Sequence, residues 1–277
     1  MTGNGSQIRP SISLGTDKLR GNKCIEAVSS GLGAGYRIID TAQAYGNEDA
    51  IGEAIQKSNV PREEISVVTK ISSRFLKNPD SFQEAYDSAL ASIRRLGLSY
   101  VDLFLIHAPG DSAESRKVTW QALERLVEEG SIKDIGVSNY GAKHIMEMEE
   151  YAKIYPPSVN QIELHPWCQQ QKIEEFCQSR GIEIQASCSL VRNSKATHPG
   201  LRTLTTKYGK TTAQILVRYS IQKGWTPVVK SASPAHLREN MDVYDFSIGD
   251  DDMTLLNSWD EGSKGAILKV LIPEDDE

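Results

Sequence analysis

Short β-rich runs alternate regularly with segments of helical period along this chain, and this alternation predicts an α/β protein, specifically a (β/α)8 TIM barrel. Eight such runs can be counted, and eight βα units close a barrel. The 277 residues show no break in composition, and a barrel of this kind occupies roughly 250 residues as one domain. We therefore predict one domain over residues 1–277, including a flexible N-terminus (1–10) and an acidic tail (271–277), with the active site at the carboxyl ends of the strands. The predicted strands are residues 11–15, 37–40, 66–71, 101–107, 132–138, 158–164, 183–190 and 226–231.

Composition and charge exclude several classes of protein. Hydrophobic residues form 39% of the chain and charged residues 25%, and no apolar run approaches the ~18 residues that span a membrane. The formal net charge is −6 and no basic patch is present, so neither nucleic acid nor an anionic membrane is an expected partner. The polar N-terminus lacks the apolar stretch of a secretory signal, which predicts a cytoplasmic protein. No metal site is expected, because the four cysteines lack ligand spacing and are interpreted as reduced thiols: Cys24, Cys168, Cys177 and Cys188.

Signals for helix ends support the alternation. Ser81 with Glu84 predicts a capping box, and Gly97 predicts the end of the helix that follows. Thr211 with Gln214 repeats the box before the last helix–strand unit. Two long loops are expected after the fourth and seventh strands, at residues 108–115 and 191–200. Both would lie on the catalytic face of a barrel.

Ionisable side chains end three consecutive predicted strands. Asp40 closes the second strand, Lys70 nearly closes the third, and His107 closes the fourth, while Tyr45 follows Asp40 by five positions. Such residues often cap a helix, extend to solvent or pack in a core, but unpaired charges are costly to bury. Because the carboxyl ends of the strands meet at one rim, we expect the four side chains to form one site.

These four residue types suit the protonation of a carbonyl oxygen. A tyrosine has an ordinary pKa of ~10, and we expect the Lys70 ammonium to lower the pKa of Tyr45, with Asp40 keeping the lysine charged. Tyr45 would then donate a proton to a substrate oxygen that His107 positions through a hydrogen bond. The set contains no reductant, so carbonyl chemistry would require a cofactor that donates hydride.

Several motifs stand in a characteristic order along the chain. Residues 40–48 read Asp-Thr-Ala-Gln-Ala-Tyr-Gly-Asn-Glu, residues 136–139 read Gly-Val-Ser-Asn, and residues 160–166 read Asn-Gln-Ile-Glu-Leu-His-Pro. A lysine after a β-run, His107 with Pro109, and Lys230-Ser231 complete the set. With these motifs the chain resembles the aldo-keto reductase superfamily over nearly its full length. The resemblance implies a catalytic tetrad of Asp40, Tyr45, Lys70 and His107.

The resemblance also implies a site for a nicotinamide cofactor. Ser138, Asn139 and Gln161 would hold the carboxamide group, with Ser187 and Leu190 nearby at the end of strand seven. Cations, hydroxyls and free amides at Lys230, Ser231 and the following helix start suit a phosphate. In relatives a lysine and an arginine hold the 2′-phosphate of NADPH, and the arginine position here is His236, which carries little charge at neutral pH. Glu239 and Asn240 match the adenine-binding positions. We predict NADPH in preference to NADH, with weaker discrimination than in relatives.

Three positions depart from the pattern of the family. Relatives read Ala-Tyr-Ser-Pro-Leu in strand seven, whereas Ser187 replaces the tyrosine that stacks on the nicotinamide ring, a contact worth ~0.5–1.5 kcal/mol. Asp17 and Ala108 stand where relatives commonly carry tryptophan. The pocket should therefore admit a bulkier or more polar substrate, such as one with an amine near its carbonyl. Phe75 and Trp167 are candidates to replace part of the wall, although both residues could equally be packing residues.

The sequence thus predicts an oxidoreductase that reduces a ketone or aldehyde, or oxidises the alcohol, with NADPH. The partner is a small-molecule carbonyl compound, and the protein is expected to be a monomer. Two alternatives remain open at this point. One is a redox-neutral isomerase, dehydratase or cyclase that keeps Tyr45 and His107 as acid and base. The other is a non-catalytic, cofactor-binding regulatory subunit.

Overall fold

A computed structural model describes residues 12–269, so the predicted N-terminal and C-terminal segments and Ser11 lie outside the described residues. Eight parallel strands form a closed barrel in sequence order, in which β1 pairs with both β2 and β8. The prediction of a (β/α)8 barrel is confirmed. The strands are β1 Ser13–Gly15, β2 Ile38–Asp40, β3 Ser66–Ile71, β4 Val101–Ile106, β5 Ile132–Ser138, β6 Val159–Glu163, β7 Glu183–Ser187 and β8 Thr226–Val229.

Ten α-helices lie between or after the strands in the described part of the chain. The capping box at Thr211 and Gln214 is present in full. The box predicted at Ser81 and Glu84 forms only in part. Ser81 Oγ accepts from Glu84 N, but the Glu84 side chain accepts from the backbone N–H groups of Lys77 and Asn78 in the preceding loop. The helices are α1 Gly21–Gly33, α2 Glu48–Gln56, α3 Phe82–Leu96, α4 Ala113–Glu128, α5 Ala142–Glu147, α6 Gln171–Ser179, α7 Pro199–Tyr208, α8 Thr212–Gln222, α9 Pro234–Met241 and α10 Asp250–Asn257.

Several strands are shorter than the sequence predicts: β1 and β2 at the amino end, β6 at both ends, and β4, β7 and β8 at the carboxyl end. Strand β4 ends at Ile106 and β8 at Val229, before His107 and Lys230. Strand β7 ends at Ser187 because Cys188 has a left-handed backbone with φ 55°, which cannot continue a strand. The polar residues at these positions therefore begin the loops of the catalytic face.

The barrel interior is filled in layers. Alternation along a strand places Ile38 and Asp40 on one face of β2, and Val68 and Lys70 on one face of β3. Ile38 and Val68 pack in a small apolar cluster with residues of β4 and β6. Asp40 and Lys70 follow one layer nearer the carboxyl ends. The apolar cluster thus forms a floor beneath the two charged side chains. In the described residues, no helix has the length and apolar character needed to cross a membrane.

Candidate active site

A buried ion pair lies where β2 and β3 end. Lys70 Nζ donates to both carboxylate oxygens of Asp40, at 2.7 and 2.8 Å, and to the backbone oxygen of Thr41 at 3.0 Å. The two side chains are 0% and 3% exposed. Gln161 on β6 donates a further hydrogen bond of 2.8 Å to Asp40. Groups from β3 and β6 therefore fix the carboxylate, and the ionised pair carries no net charge.

Tyr45 stands on a short turn of 3-10 helix, Gln43–Tyr45, directly after β2. The Asn47 side chain holds this turn against the first loop, because its Nδ2 donates to the backbone oxygens of Thr16 and Leu19 at 3.0 Å. These hydrogen bonds satisfy carbonyl groups of two buried residues in that loop. The local sequence thus positions the phenol at the mouth of the barrel.

The side chains of Tyr45, Lys70 and His107 meet at this mouth. The Lys70 Nζ atom lies 5.3 Å from the centroid of the Tyr45 ring. The rings of Tyr45 and His107 have centroids 5.8 Å apart and an interplanar angle of 80°. The His107 backbone N–H continues the barrel ladder by donating to Ile71 O at 2.8 Å. The structure therefore brings together the four residues that sequence reasoning selected.

The electrostatics of Tyr45 differ from the expectation. Burial is the main cause that raises the pKa of Tyr45 well above its ordinary value, and Asp40 adds to the effect. The prediction that Lys70 lowers this pKa is therefore wrong for the structure. The physical reason is that Asp40 lies directly against the Lys70 ammonium and compensates its charge. Arg192 is the cation that opposes the increase.

His107 has the opposite kind of shift. Burial, followed by the charge of Lys70, lowers the pKa of His107 to about 3. The imidazole is therefore neutral across the physiological range, and one of its ring nitrogens carries a proton that it can donate. A buried neutral donor suits the stabilisation of charge that develops on a substrate oxygen.

A cavity of about 730 Å³ extends from Tyr45 to the start of α9. Lys70 lies beneath its lining, and His107 is half-buried beside Tyr45. Most of the residues that the sequence assigns to the cofactor and catalysis line this one space. From the predicted set, the lining includes Asp17, Asp40, Tyr45, Gln161, Ser187, Leu190, Lys230, Ser231, His236, Glu239 and Asn240.

Ser138, Asn139 and Gln161, which the resemblance assigned to the carboxamide, are tied to the barrel. Ser138 Oγ donates to Gln161 O at 2.7 Å, and Asn139 Nδ2 donates to His107 O at 2.9 Å. Gln161 Nε2 donates to Asp40 and to Gln185, so only its amide oxygen remains for a ligand. Of the three, Gln161 alone is in the cavity lining of the described residues.

The far end of the cavity fits the adenosine part of a dinucleotide. Asn240 is 2% exposed, lines the cavity, and has a side-chain oxygen without a hydrogen-bond partner in the described residues. Such a buried acceptor is suited to an amino group of a ligand. Glu239 is held by Thr211, whose hydroxyl donates to it at 2.7 Å. Sequence reasoning did not assign Thr211 or the start of α8 to this site.

Three of the four substrate-wall assignments do not reach the cavity lining. Trp167 is a packing residue, because it is 1% exposed and stacks on Trp259 with ring centroids 5.3 Å apart. Phe75 lies on the surface with 64% exposure, and Ala108 lies in the loop after β4, next to His107. Asp17 does line the cavity, but it forms an ion pair with Arg192 at 3.6 Å. The acid that Asp17 contributes to the cavity is therefore paired with a cation.

The main residues that sequence reasoning missed are on loops. Arg192 lies in a segment that the sequence predicts as a long loop. A cation so soon after strand seven was the signal that could have assigned it to the site. Its contact with the first loop depends on the backbone of residues 191–193, which the sequence did not indicate. The other unassigned lining residues are Gly15, Thr16, Lys18, Cys188, Asn193, Thr211, Thr212, Ala213, Val228, Ala232 and Leu268.

A comparison with known families matches residues 11–261 to the model described as the aldo/keto reductase family. An uncharacterized oxidoreductase from Schizosaccharomyces pombe is 42% identical over 258 residues, covering 91% of this chain and 90% of that protein. An aldo-keto reductase from Mycolicibacterium vanbaalenii is 40% identical over 261 residues, covering 94% of this chain and 92% of its own length.

Solved structures show the same architecture. An aldo-keto reductase from a Medee basin deep-sea metagenome library superimposes with a TM-score of 0.85 and 37% identity, covering 91% of each chain. The aldose reductase from Schistosoma japonicum gives a TM-score of 0.83 and 30% identity, covering 91% of this chain and 89% of that chain.

Proposed function

The chain belongs to the aldo/keto reductase family, and from this premise we propose that it reduces an aldehyde or ketone to an alcohol, with Tyr45 as the proton donor and NADPH as the preferred cofactor. The observation that carries the proposal is the common site of Asp40, Lys70, Tyr45 and His107, in which Lys70 contacts both the carboxylate and the phenol ring. The family uses nicotinamide cofactors, which supply the hydride when bound.

Tyr45 enters the reaction protonated, because its raised pKa keeps the phenol neutral at physiological pH. A carbonyl oxygen that accepts a hydride at its carbon becomes more basic than a phenolate, so the proton moves from Tyr45 Oη to that oxygen as charge develops. His107, which is neutral, donates a hydrogen bond to the same oxygen and orients it. The Asp40–Lys70 pair lies beside the phenol and leaves no net charge beneath it.

The proposed cofactor residues follow from the lining of the cavity. Gln161 offers an amide oxygen to the carboxamide, and Asn240 offers its free acceptor to adenine. Lys230 is exposed, lines the cavity and would bind the 2′-phosphate that distinguishes NADPH from NADH. His236 stands at the position where relatives carry an arginine, and it also lines the cavity. We therefore propose a preference for NADPH that depends mainly on Lys230.

The proposal is tested by mixing the protein with NADPH and the neutral aldehyde 4-nitrobenzaldehyde. We expect loss of NADPH absorbance and formation of 4-nitrobenzyl alcohol in equal amounts. Fluorescence titration of the same protein with NADPH and NADH provides the binding measurement. If the protein binds neither cofactor and forms no alcohol, the proposed function is wrong.

A redox-neutral reaction is the second candidate, and the observation that favours it is Ser187. This residue lines the cavity at the position where the family's tyrosine would stack on the nicotinamide ring. With that platform absent, Tyr45 and His107 could act as acid and base on a substrate without hydride transfer. Conversion of a hydroxy-ketone to its isomer in the absence of cofactor would favour this candidate over carbonyl reduction.

A further inference from the structure

The turn that carries Tyr45 is shaped by its own backbone but is not fixed by it. Tyr45 N donates to Ala42 O at 3.0 Å, and Gly46 N donates to Gln43 O at 3.1 Å. Both bonds lie within the turn, so they leave its position relative to the barrel open. Asn47 holds one side of the turn to the first loop, and the other side contacts α3. The position of the phenol therefore depends on what joins the turn to this helix.

Gln43, the first residue of the turn, makes that connection. Its amide nitrogen donates to Ser92 Oγ at 2.8 Å, and it lies within hydrogen-bond distance of Ser88 O at 3.0 Å and Ser88 Oγ at 3.1 Å. A carbonyl oxygen can only accept, so the nitrogen of the amide, rather than its oxygen, faces the helix. Three acceptors around one nitrogen fix the direction of the Gln43 side chain.

Ser92 extends the connection to a buried carboxylate. The Ser92 side chain is fully buried, and its Oγ accepts from Gln43 and, at 2.9 Å, from the Arg95 guanidinium. Arg95 also donates to Glu48 Oε2 at 2.8 Å, and Glu48 Oε1 accepts from Thr69 Oγ1 at 2.7 Å. Glu48 begins α2 just after the turn, and Thr69 precedes the buried lysine of β3. One network on α3 thus joins the elements that carry the phenol and the ammonium.

Helix α3 is a close-packed support for this network. A Cβ at Gly52 of α2 would lie 2.0 Å from Leu96 O of α3, so the backbones of the two helices are in direct contact. Ala85 and Ala89 of α3 are fully buried as well. Because α3 has little room to move, loss of the Gln43 contact should release the turn and leave the helix in place.

We propose that Gln43 and Ser92 are positioning residues, which fasten the turn to α3 and thereby set the place of Tyr45 Oη at the mouth of the barrel. The inference rests on the proposed function, since it assumes that Tyr45 donates the proton. Neither residue is in the cavity lining of the described part of the chain. Their effect on the reaction therefore passes through the Tyr45 turn.

The position of the phenol affects proton transfer more than it affects binding. The proton moves when the phenol oxygen is within hydrogen-bond distance of the substrate oxygen, and a displacement of about 1 Å can lower a rate by about 10²-fold. The residues proposed to bind the cofactor lie on other elements, on β6, after β8 and on α9. A looser turn should therefore slow the chemical step and leave the affinity for NADPH unchanged.

The experiment is a single-turnover measurement with the protein in excess over NADPH and with the concentration of 4-nitrobenzaldehyde varied. All NADPH is then bound to folded protein, so a partly unfolded sample does not lower the rate constant for NADPH oxidation. We expect Gln43→Met, which removes the amide but keeps the length of the side chain, to lower the limiting rate constant by about tenfold. The Kd of NADPH should not change. Ser92→Ala should lower the rate constant by about threefold, because Gln43 keeps its contacts with Ser88.

Two further variants sharpen the result. Gln56→Met removes a matched glutamine, whose Nε2 donates to Gly97 O at 3.3 Å and joins the far end of α2 to the end of α3. Its rate constant should equal that of the wild type. The double variant of Gln43→Met and Ser92→Ala should be no slower than Gln43→Met alone, because both substitutions break the same contact.

Other outcomes would overturn the inference. Gln43 has a purely structural role if Gln43→Met lowers the Tm but leaves the limiting rate constant unchanged. It belongs to a binding site if the Kd of NADPH or the half-saturating concentration of the aldehyde rises at an unchanged limiting rate constant. Additive losses in the double variant would show that the two residues act separately. If the wild type does not oxidise NADPH with this aldehyde, the proposed function itself fails, and this failure is visible before any variant is measured.

Discussion

The two ends of the cavity are built in different ways. At the mouth of the barrel, strand ends position Asp40, Lys70 and His107 through buried hydrogen bonds, and the Asp40 and Lys70 charges compensate each other within 3 Å. Toward α9, the exposed loop residues Arg192 and Lys230 carry the charge, and the Asp17 carboxylate lies 3.6 Å from the Arg192 guanidinium. The charges of the first region are buried and closely paired, whereas those of the second are exposed to solvent.

The largest effect is expected from breaking the buried pair. Lys70→Met leaves the Asp40 carboxylate without its counter-ion inside the barrel, and we expect the free energy of unfolding to fall by about 3–5 kcal/mol. Urea denaturation gives the measurement. Lys57→Met is the control, because Lys57 pairs with Glu53 on the surface with 66% and 48% exposure, and its removal should cost less than about 1 kcal/mol. Equal effects of the two substitutions would contradict the contrast between the regions.

The pH dependence of stability tests His107. Burial lowers its pKa from 6.5 to about 3, so between these values the unfolded chain binds more protons than the folded protein. Stability therefore falls as the pH drops from 6.5 toward 3. Thermal melts of wild type and His107→Gln at about pH 7 and pH 5 should show a smaller loss of Tm in the variant. His236→Gln, which removes an exposed histidine, should follow the wild type. Parallel curves for His107→Gln and wild type would be inconsistent with a buried neutral imidazole.

A smaller effect is expected from the cofactor end of the cavity. Lys230→Met should raise the Kd of NADPH by about tenfold and leave the Kd of NADH unchanged, because one exposed charge-assisted contact is lost. Fluorescence titration measures both values. Arg238→Met is a control of equal charge on α9 outside the cavity lining, and it should change neither Kd. An equal loss of NADPH and NADH affinity in Lys230→Met would show that Lys230 does not bind the 2′-phosphate.

The smallest effect on cofactor binding is expected at Ser187, which replaces the family's stacking tyrosine. Ser187→Tyr places a ring at the position that lines the cavity at the end of β7, and ring contacts contribute ~0.5–1.5 kcal/mol. We expect the Kd values of NADPH and NADH to fall together by a few-fold in the same titration. Ser189→Thr, at a buried residue outside the cavity lining, controls for an altered loop. Weaker binding in Ser187→Tyr would indicate that another group already fills this space.

The sequence predicts the barrel and its rim well because both depend on local patterns. Alternating β-runs and helices determine the fold class, and Asp40, Lys70 and His107 can be placed because the carboxyl ends of parallel strands meet at one rim. The charge state of Tyr45 could not be predicted, since it depends on burial and on how closely Asp40 compensates Lys70. The sequence left Trp167 open between a wall of the pocket and a packing residue, because its stacking on Trp259 joins residues that are distant in sequence.

The loop after β7 shows a second limit. Arg192 reaches Asp17 only because Val191, Arg192 and Asn193 adopt left-handed backbones without any glycine. Left-handed conformations are uncommon for such residues, especially for a β-branched valine, so the chain carries no local signal for them. Contacts between loops therefore could not be predicted from the sequence and are seen only in the structure.

The most direct test of the account is a single-turnover measurement with Tyr45→Phe, saturated with NADPH and mixed rapidly with 4-nitrobenzaldehyde. Removal of the phenolic proton should lower the rate of NADPH oxidation by about 10²–10⁴-fold, while the Kd of NADPH stays within about twofold of the wild type. A Tyr45→Phe protein that oxidises NADPH at nearly the wild-type rate would contradict the assignment of Tyr45 as the proton donor.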